Sequence, residues 1–224
     1  FALFLKSVFN YMSGGVAISG LFAYFTLKSS LGLAIATNPA FQIVFMIVWF
    51  GFGFFAHKII EKVSAATGLA IFLGFSAITG MAFAPIIAQY AMANVASAFF
   101  VAAATFIGMS MFGNSTKKSL SGWGTFLNFA FIGMIAAIVI NIVLGMFGVN
   151  TGGFSIILSF AIVPLVAAGI AYELNMLKEQ YSYFAHDEDQ KNRVAIMSAV
   201  SLYTSFVVLF LNILQILGFL GNND

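Results

Sequence analysis

An all-α, polytopic membrane fold is what this sequence predicts: a seven-transmembrane-helix bundle with its N-terminus inside. Three observations predict it. Of the 224 residues, 62% are hydrophobic and 7% charged, against roughly 25% charged in a soluble domain. The charges are also spaced so that residues 63–116, 119–172 and 194–220 contain no Asp, Glu, Lys or Arg. Those intervals accommodate one or two helices of the ~20 residues that cross a hydrocarbon core. Finally, an inner N-terminus places Lys6, Lys58, Lys62, Lys117, Lys118, Lys178, Lys191 and Arg193 on the inner side and only Lys28 outside, as the positive-inside rule requires.

The chain reads as a single seven-helix membrane domain over 1–224, with spans near 7–27, 40–56, 68–88, 95–112, 125–147, 154–176 and 194–220. The first run lies between Lys6 and Lys28, and its Ser13, Gly14, Gly15, Ser19 and Gly20 are small enough for close helix packing. Asn38-Pro39 reads as a turn, because a residue before proline is pushed out of the helical region. The second span carries Trp49 in its interior, and Phe52, Phe54 and Phe55 near its end read as lipid-facing or interfacial. A charged connector, His57 to Lys62, comes next. Two spans then meet at a hairpin around Gln89–Asn94, with Pro85 close by and Ser76, Gly80 and Ala84 forming a small-residue ridge. The connector Gly113–Ser121 leads into another uncharged pair, turned at Gly148–Gly153. Pro164 should kink the sixth span and free a carbonyl. The C-terminal Gly221–Asp224 is expected outside. No cleavable signal peptide is expected, and because the chain opens at Phe1 rather than Met, upstream residues are expected.

Composition also excludes functions. Without cysteine there is no disulfide, thiol nucleophile or thiolate metal site. A net charge of +2 supplies no basic surface for nucleic acid. His57 and His186 lie in separate connectors, no Asp falls within a span, and no His-Glu-Xaa-Xaa-His occurs. The chain is therefore expected not to be an enzyme, with no cofactor and no certain metal site. Gly108–Gly113 has a superficial likeness to a nucleophile turn around Ser110, but nothing in reach could activate that serine.

The informative polar residues lie in the last two spans. Ser198, Ser201, Ser205, Asn212 and Gln215 are spaced by alternating steps of three and four, with Val208 in the gap, which puts them on one stripe of a helix. Glu173 is the acid preceded by a full uncharged span. Near the interface it could reach water or pair with Lys118, Lys178 or Arg193. Deeper, an unpaired carboxylate is costly, which would make it a proton-sensitive latch or a cation ligand. Glu173 and Ser205 are the candidate latch, Glu173 a calcium contact if one exists, and Ser198, Ser201, Asn212 and Gln215 the supporting stripe. Asp187-Glu188-Asp189 reads as a solvated loop.

These residues resemble a known family. Ala98-Phe99-Phe100 through Phe112-Gly113, the connector Ser115–Ser121, Tyr172-Glu173, and Ser201–Phe206 with Leu217-Gly218 together look like the Bax inhibitor-1 family of seven-helix membrane proteins. In its calcium-leak members an acidic pair, one on each of the last two helices, is the proposed proton-sensitive latch. Here those positions hold Glu173 and Ser205, and a carboxylate with a hydroxyl cannot share a proton as two carboxylates do. That combination, with Phe83–Ile87 and Ile216–Phe219, is more similar to the bacterial YccA branch, which is associated with the membrane AAA protease FtsH. The resemblance implies an FtsH-modulating interaction protein. The alternatives are a pH-sensitive Ca2+ or H+ pathway, or a structural subunit of a larger membrane complex. The expected location is a bacterial inner membrane, with the mitochondrial inner membrane as alternative. The expected partners are membrane lipid and such a protease or complex.

Overall fold

In hydrocarbon every backbone amide must find its partner within the protein, and a helix achieves this inside one segment. The computed structural model describes residues 1–221, apart from the side chains of Phe54, Ile142 and Met146. Within them the chain forms α1 (Ala2–Lys28), α2 (Ser30–Ala36), α3 (Pro39–Glu61), α4 (Ala65–Ile87), α5 (Met92–Ser115), α6 (Gly124–Met146), α7 (Gly152–Phe184) and α8 (Glu188–Gly221), with a 3-10 turn at Ser121–Trp123. The expectation for the C-terminal tail falls almost wholly outside the described residues. Six helices are long and apolar enough to span a membrane by themselves. The segment α2 with residues 39–53, bent by 65°, makes a seventh if it is one span.

The local chemistry explains where helices start and stop. Asn38 is extended, and its side chain accepts from the amides of Ala40 and Phe41 while Pro39 occupies the first helical position, where a missing N–H costs nothing. Ser29 caps α2, a short helix the sequence pattern does not reveal, and Ser64 caps α4. At the end of α6, Gly148 takes φ +77°. Val149 N–H then reaches Leu144 O and Gly148 N–H reaches Gly145 O, the Schellman closure that favours glycine at that position. Pro164 removes one rung from α7 without ending it.

The polar stretch 178–193, expected between spans, is mostly helix. α7 runs on to Phe184 and α8 begins at Glu188, so each is about 50 Å long at 1.5 Å per residue. Asp187-Glu188-Asp189 is exposed as expected, but only Asp187 lies between the helices; Glu188 and Asp189 open α8. Asp187 Oδ1 accepts from the amides of Asp189 and Gln190, capping α8. Glu188 pairs with Lys191, and Asp189 with Arg193 at 2.8 Å. The acids lie where a helix dipole favours them.

The described chain divides into two compact units. The first comprises Phe1–Tyr90 with Tyr181–Thr204. Its core is the contact of α1 with α4, built on the small residues of both. A Cβ at Gly15 would meet the Phe72 ring and Ser76 Oγ, and one at Gly80 would overlap the Ser19 carbonyl. That approach lets Ser19 Oγ reach the carbonyls of Ser76 (2.8 Å) and Gly15 (3.0 Å), with the Tyr203 hydroxyl 2.5 Å away. A serine has one hydrogen. Since it goes to the carbonyls, Tyr203 must be the donor in the third bond. Tyr203 is fully buried, its ring edge-on to Phe72 and Phe75.

Two more polar bridges hold this unit. Gln42 Nε2 donates to Ala36 O at 2.6 Å and to Ala82 O at 3.0 Å, satisfying the end of α2 and tying it to α4 one turn before Pro85. Arg193 Nη1 donates to Glu61 O at 2.6 Å, a cation at the C-terminus of α3. Phe52, expected to face lipid, instead stacks on Phe75 at 4.3 Å and is half-buried, whereas Phe55 is exposed; Phe54 lies outside the described side chains.

The α1–α4 contact yields a prediction. Gly80→Ala is expected to lower thermal stability in detergent by the ~1–3 kcal/mol of an overpacked core. Gly14→Ala, which meets no atom within 4 Å, should be neutral or gain up to ~1 kcal/mol of helix propensity. Equal melting temperatures for the two variants would contradict the close approach at Gly80.

Candidate functional site on the last two helices

The second unit, Ala91–Gln180 with the chain from Ser205 onward, contains Glu173, Ser205, Asn212 and Gln215. Its organising segment is Ala171–Asn175 on α7. Ala171 backs directly onto Gly113 of α5, where a Cβ would overlap the Ala171 carbonyl. Tyr172 brings its hydroxyl against Gly124 at the start of α6. Asn175, 3% exposed, accepts from Leu120 N–H at 2.8 Å and donates to Gly113 O and Lys118 O, both at 3.3 Å. One carboxamide thereby satisfies the end of α5 and both sides of the connector.

At 100° per residue, Ala171 and Asn175 face α5 while Glu173, half-buried, points to the other side of α7. That side is identified by Ser159, fourteen residues earlier and within ~40° of Glu173 on the helical wheel. Ser159 Oγ donates to Gln215 Oε1 of α8 at 2.7 Å. Glu173 therefore lies on the face of α7 that meets α8. It stands ~21 Å from Ser159 along α7, and Ser205 stands ~15 Å from Gln215 along α8. Along parallel axes their levels differ by ~6 Å.

The stripe is polar for more than one reason. Gln215 is bonded across to α7, whereas Asn212 Nδ2 donates to Val208 O of its own helix at 2.8 Å. Ser205 is half-buried in the second unit. Ser198, buried, and Ser201, half-buried, belong to the first unit. Of the bases considered as partners for Glu173, Lys178 donates to Asn114 O at 2.8 Å and Arg193 is engaged with Asp189 and Glu61; Lys118 is exposed. Among the described residues no three His, Asp or Glu side chains gather as a metal site. Ser110 lies in the unbroken helix α5, buried, so residues 108–113 form no nucleophile turn.

Asn175 and Ser159 are polar residues that the sequence pattern does not single out. Ser159, 1% exposed, has no outward sign in an apolar run. Asn175 has one: it is the amide that closes the uncharged run just past Glu173, where a span ends and loop carbonyls need donors.

The order and spacing of these features extend along the whole chain, and the family model for the inhibitor of apoptosis-promoting Bax1 matches residues 2–223. The chain belongs to the Bax inhibitor-1 family. It is 31% identical over 216 residues to a protein of Borreliella burgdorferi, covering 96% of this chain and 91% of the relative. To the inner membrane protein YbhL of Escherichia coli it is 28% identical over 217 residues, with 96% and 91% covered. To a membrane protein of Streptococcus pyogenes it is 30% identical over 218 residues, with 96% and 92% covered. Family, relatives and apolar helices agree on an integral protein of a bacterial inner membrane.

Asn175→Leu keeps the volume but leaves Leu120 N–H and the carbonyls of Gly113 and Lys118 without their partner. Buried unsatisfied groups cost ~1–3 kcal/mol each, so the variant should lose about 2 kcal/mol or more. Its connector should also be cut faster by trypsin after Lys117 and Lys118. An unchanged cleavage rate would show that something other than Asn175 orders this segment.

Proposed function

We propose that this Bax inhibitor-1 protein modulates a membrane-bound AAA protease of the FtsH type by interaction, without catalysing a reaction itself. The observation that carries the reading is the pairing of Glu173 with Ser205 at the positions where calcium-leak members carry two acids, the combination that resembles the YccA branch. A two-carboxylate latch works because neighbouring acids share a proton and a cation can replace it. Glu173 with Ser205 lacks that property. The packing supports a structural role: Ala171 and Tyr172, beside Glu173, are occupied in close contacts with α5 and α6.

A second reading, a pH-sensitive cation pathway, has its own support. Glu173 shares a face of α7 with Ser159, whose bond to Gln215 gives the α7–α8 contact polar character. Reconstitution separates the two. Under the first reading the protein co-purifies with an FtsH-type protease and slows its degradation of a membrane substrate, while calcium and proton flux in proteoliposomes stays at background at acidic and neutral pH. Flux above background that changes in Glu173→Gln, with no effect on the protease, would replace the first reading by the second.

The reading also carries an orientation, with the N-terminus and the connector of Lys117 and Lys118 on the cytoplasmic side. Because the chain has no cysteine, single Lys118→Cys and Lys28→Cys variants can be labelled in intact cells with a membrane-impermeant maleimide. Lys28→Cys should label from outside, and Lys118→Cys only after lysis. The opposite pattern would invert the topology.

A further inference from the structure

We propose that the connector between α5 and α6, with Lys117, Lys118 and Lys178 around it, binds the headgroup phosphate of an anionic phospholipid whose acyl chains lie along α6. The segment is ordered before any ligand arrives. Asn175 fixes its two sides, Thr116 Oγ1 accepts from Lys118 N–H, and Ser119 Oγ accepts from Ser121 N–H while donating to Ser121 Oγ. A charged surface held in place loses less freedom on binding than a flexible one.

Lys178 supplies the third charge from α7. Its ammonium is located at the end of α5 by the bond to Asn114 O, and an ammonium with one hydrogen so engaged keeps two for a phosphate. Asn114 is three residues from Lys117, at most ~11 Å of chain. All three lysines are exposed, and no ion pair involves them among the described residues. The acids of the second unit's described residues are Glu173 and Glu179 on α7, so the three bases remain in excess.

The chain just beyond the connector suits a lipid rather than a soluble anion. The apolar span opens at Ser121, three residues past Lys118, and Trp123 is 47% exposed at the level where indoles favour the membrane interface. Phe126, Phe129 and Ile132 succeed it at steps of three, each more than 60% exposed. Each step of three turns back about 60° on an α-helix, so the three cover about 120° of α6, an exposed apolar strip that starts at the connector end of the helix. Charge above, indole at the boundary and exposed apolar side chains beneath match the order of phosphate, glycerol and acyl chain.

The tryptophans provide the test. The chain has two, Trp49 and Trp123, so Trp49→Phe leaves Trp123 as the sole reporter. In phosphatidylcholine vesicles, a small fraction of brominated phosphatidylglycerol should quench Trp123 more strongly than the same fraction of brominated phosphatidylcholine. Adding Lys117→Gln with Lys118→Gln should reduce that preference by about thirtyfold, the scale expected for two lysines beside an anionic surface. Lys178→Gln should reduce it in part. The double change Lys28→Gln with Lys62→Gln, equal in charge but elsewhere, should leave it intact. Equal quenching by the two brominated lipids, or equal loss in the Lys28 and Lys62 control, would overturn the site. Full displacement by inorganic phosphate would show a general anion site and overturn its assignment to lipid.

Discussion

A buried carboxamide with all its bonds made is the constraint on which the second unit depends. Asn175 lies where α7 leaves its uncharged run, and there the chain must accommodate a helix end, a short connector and the start of another helix at once. Of the three residues whose backbone Asn175 meets, Gly113 and Leu120 are buried and Lys118 is exposed. An apolar side chain would fill the space but leave those groups unsatisfied, and a charged one would carry its own desolvation cost. An amide offers an acceptor and two hydrogens, and here Leu120, Gly113 and Lys118 use them. The glycine that admits α7 so close, Gly113, is also one of the residues whose carbonyl Asn175 then holds.

The first unit solves the same problem with hydroxyls. Gly15 and Gly80 let α1 and α4 approach, and that approach makes the Ser76 carbonyl accessible to Ser19, which in turn accepts from Tyr203. The hydrogen bonds result from the packing rather than the reverse, since no side chain of ordinary size at Gly80 would leave Ser19 in reach. In lipid, where apolar burial gives helices little reason to associate, small residues and interhelical hydrogen bonds are the available forces. Both units use them together.

Much of this was legible in the sequence because the membrane imposes it directly. Charge-free intervals mark apolar helices, and Gly148 and Asn38-Pro39 mark turns by backbone chemistry that acts locally. What could not be read was anything decided by a partner distant in the chain. Phe52 has the composition of a lipid-facing residue, yet Phe75 receives it. Asp187, Glu188 and Asp189 have the composition of a loop, yet one caps a helix and two pair along it. The short helix α2 is too brief to show a period of its own. In the candidate site, the polar stripe of α8 was visible as spacing, but spacing cannot say that Asn212 would bond to its own helix while Gln215 bonds across to Ser159. Glu173 was conspicuous as a charge ending an apolar run; Asn175 and Ser159 are neutral, and only their burial shows their importance.

The bend between α2 and α3 links distant positions in a further way. Gln42 gives both amide hydrogens to carbonyls, one at the end of α2 and one on α4 in the turn before Pro85. The N–H that Pro85 lacks would have paired with Met81 O, whereas the Ala82 carbonyl is the helical acceptor for residue 86. A carbonyl has two lone pairs, so Ala82 can serve Gln42 without giving up its own rung. The bend between α2 and α3 is thereby anchored to α4 at no cost to that helix, and the anchor would survive exchange of the proline for a helix-forming residue.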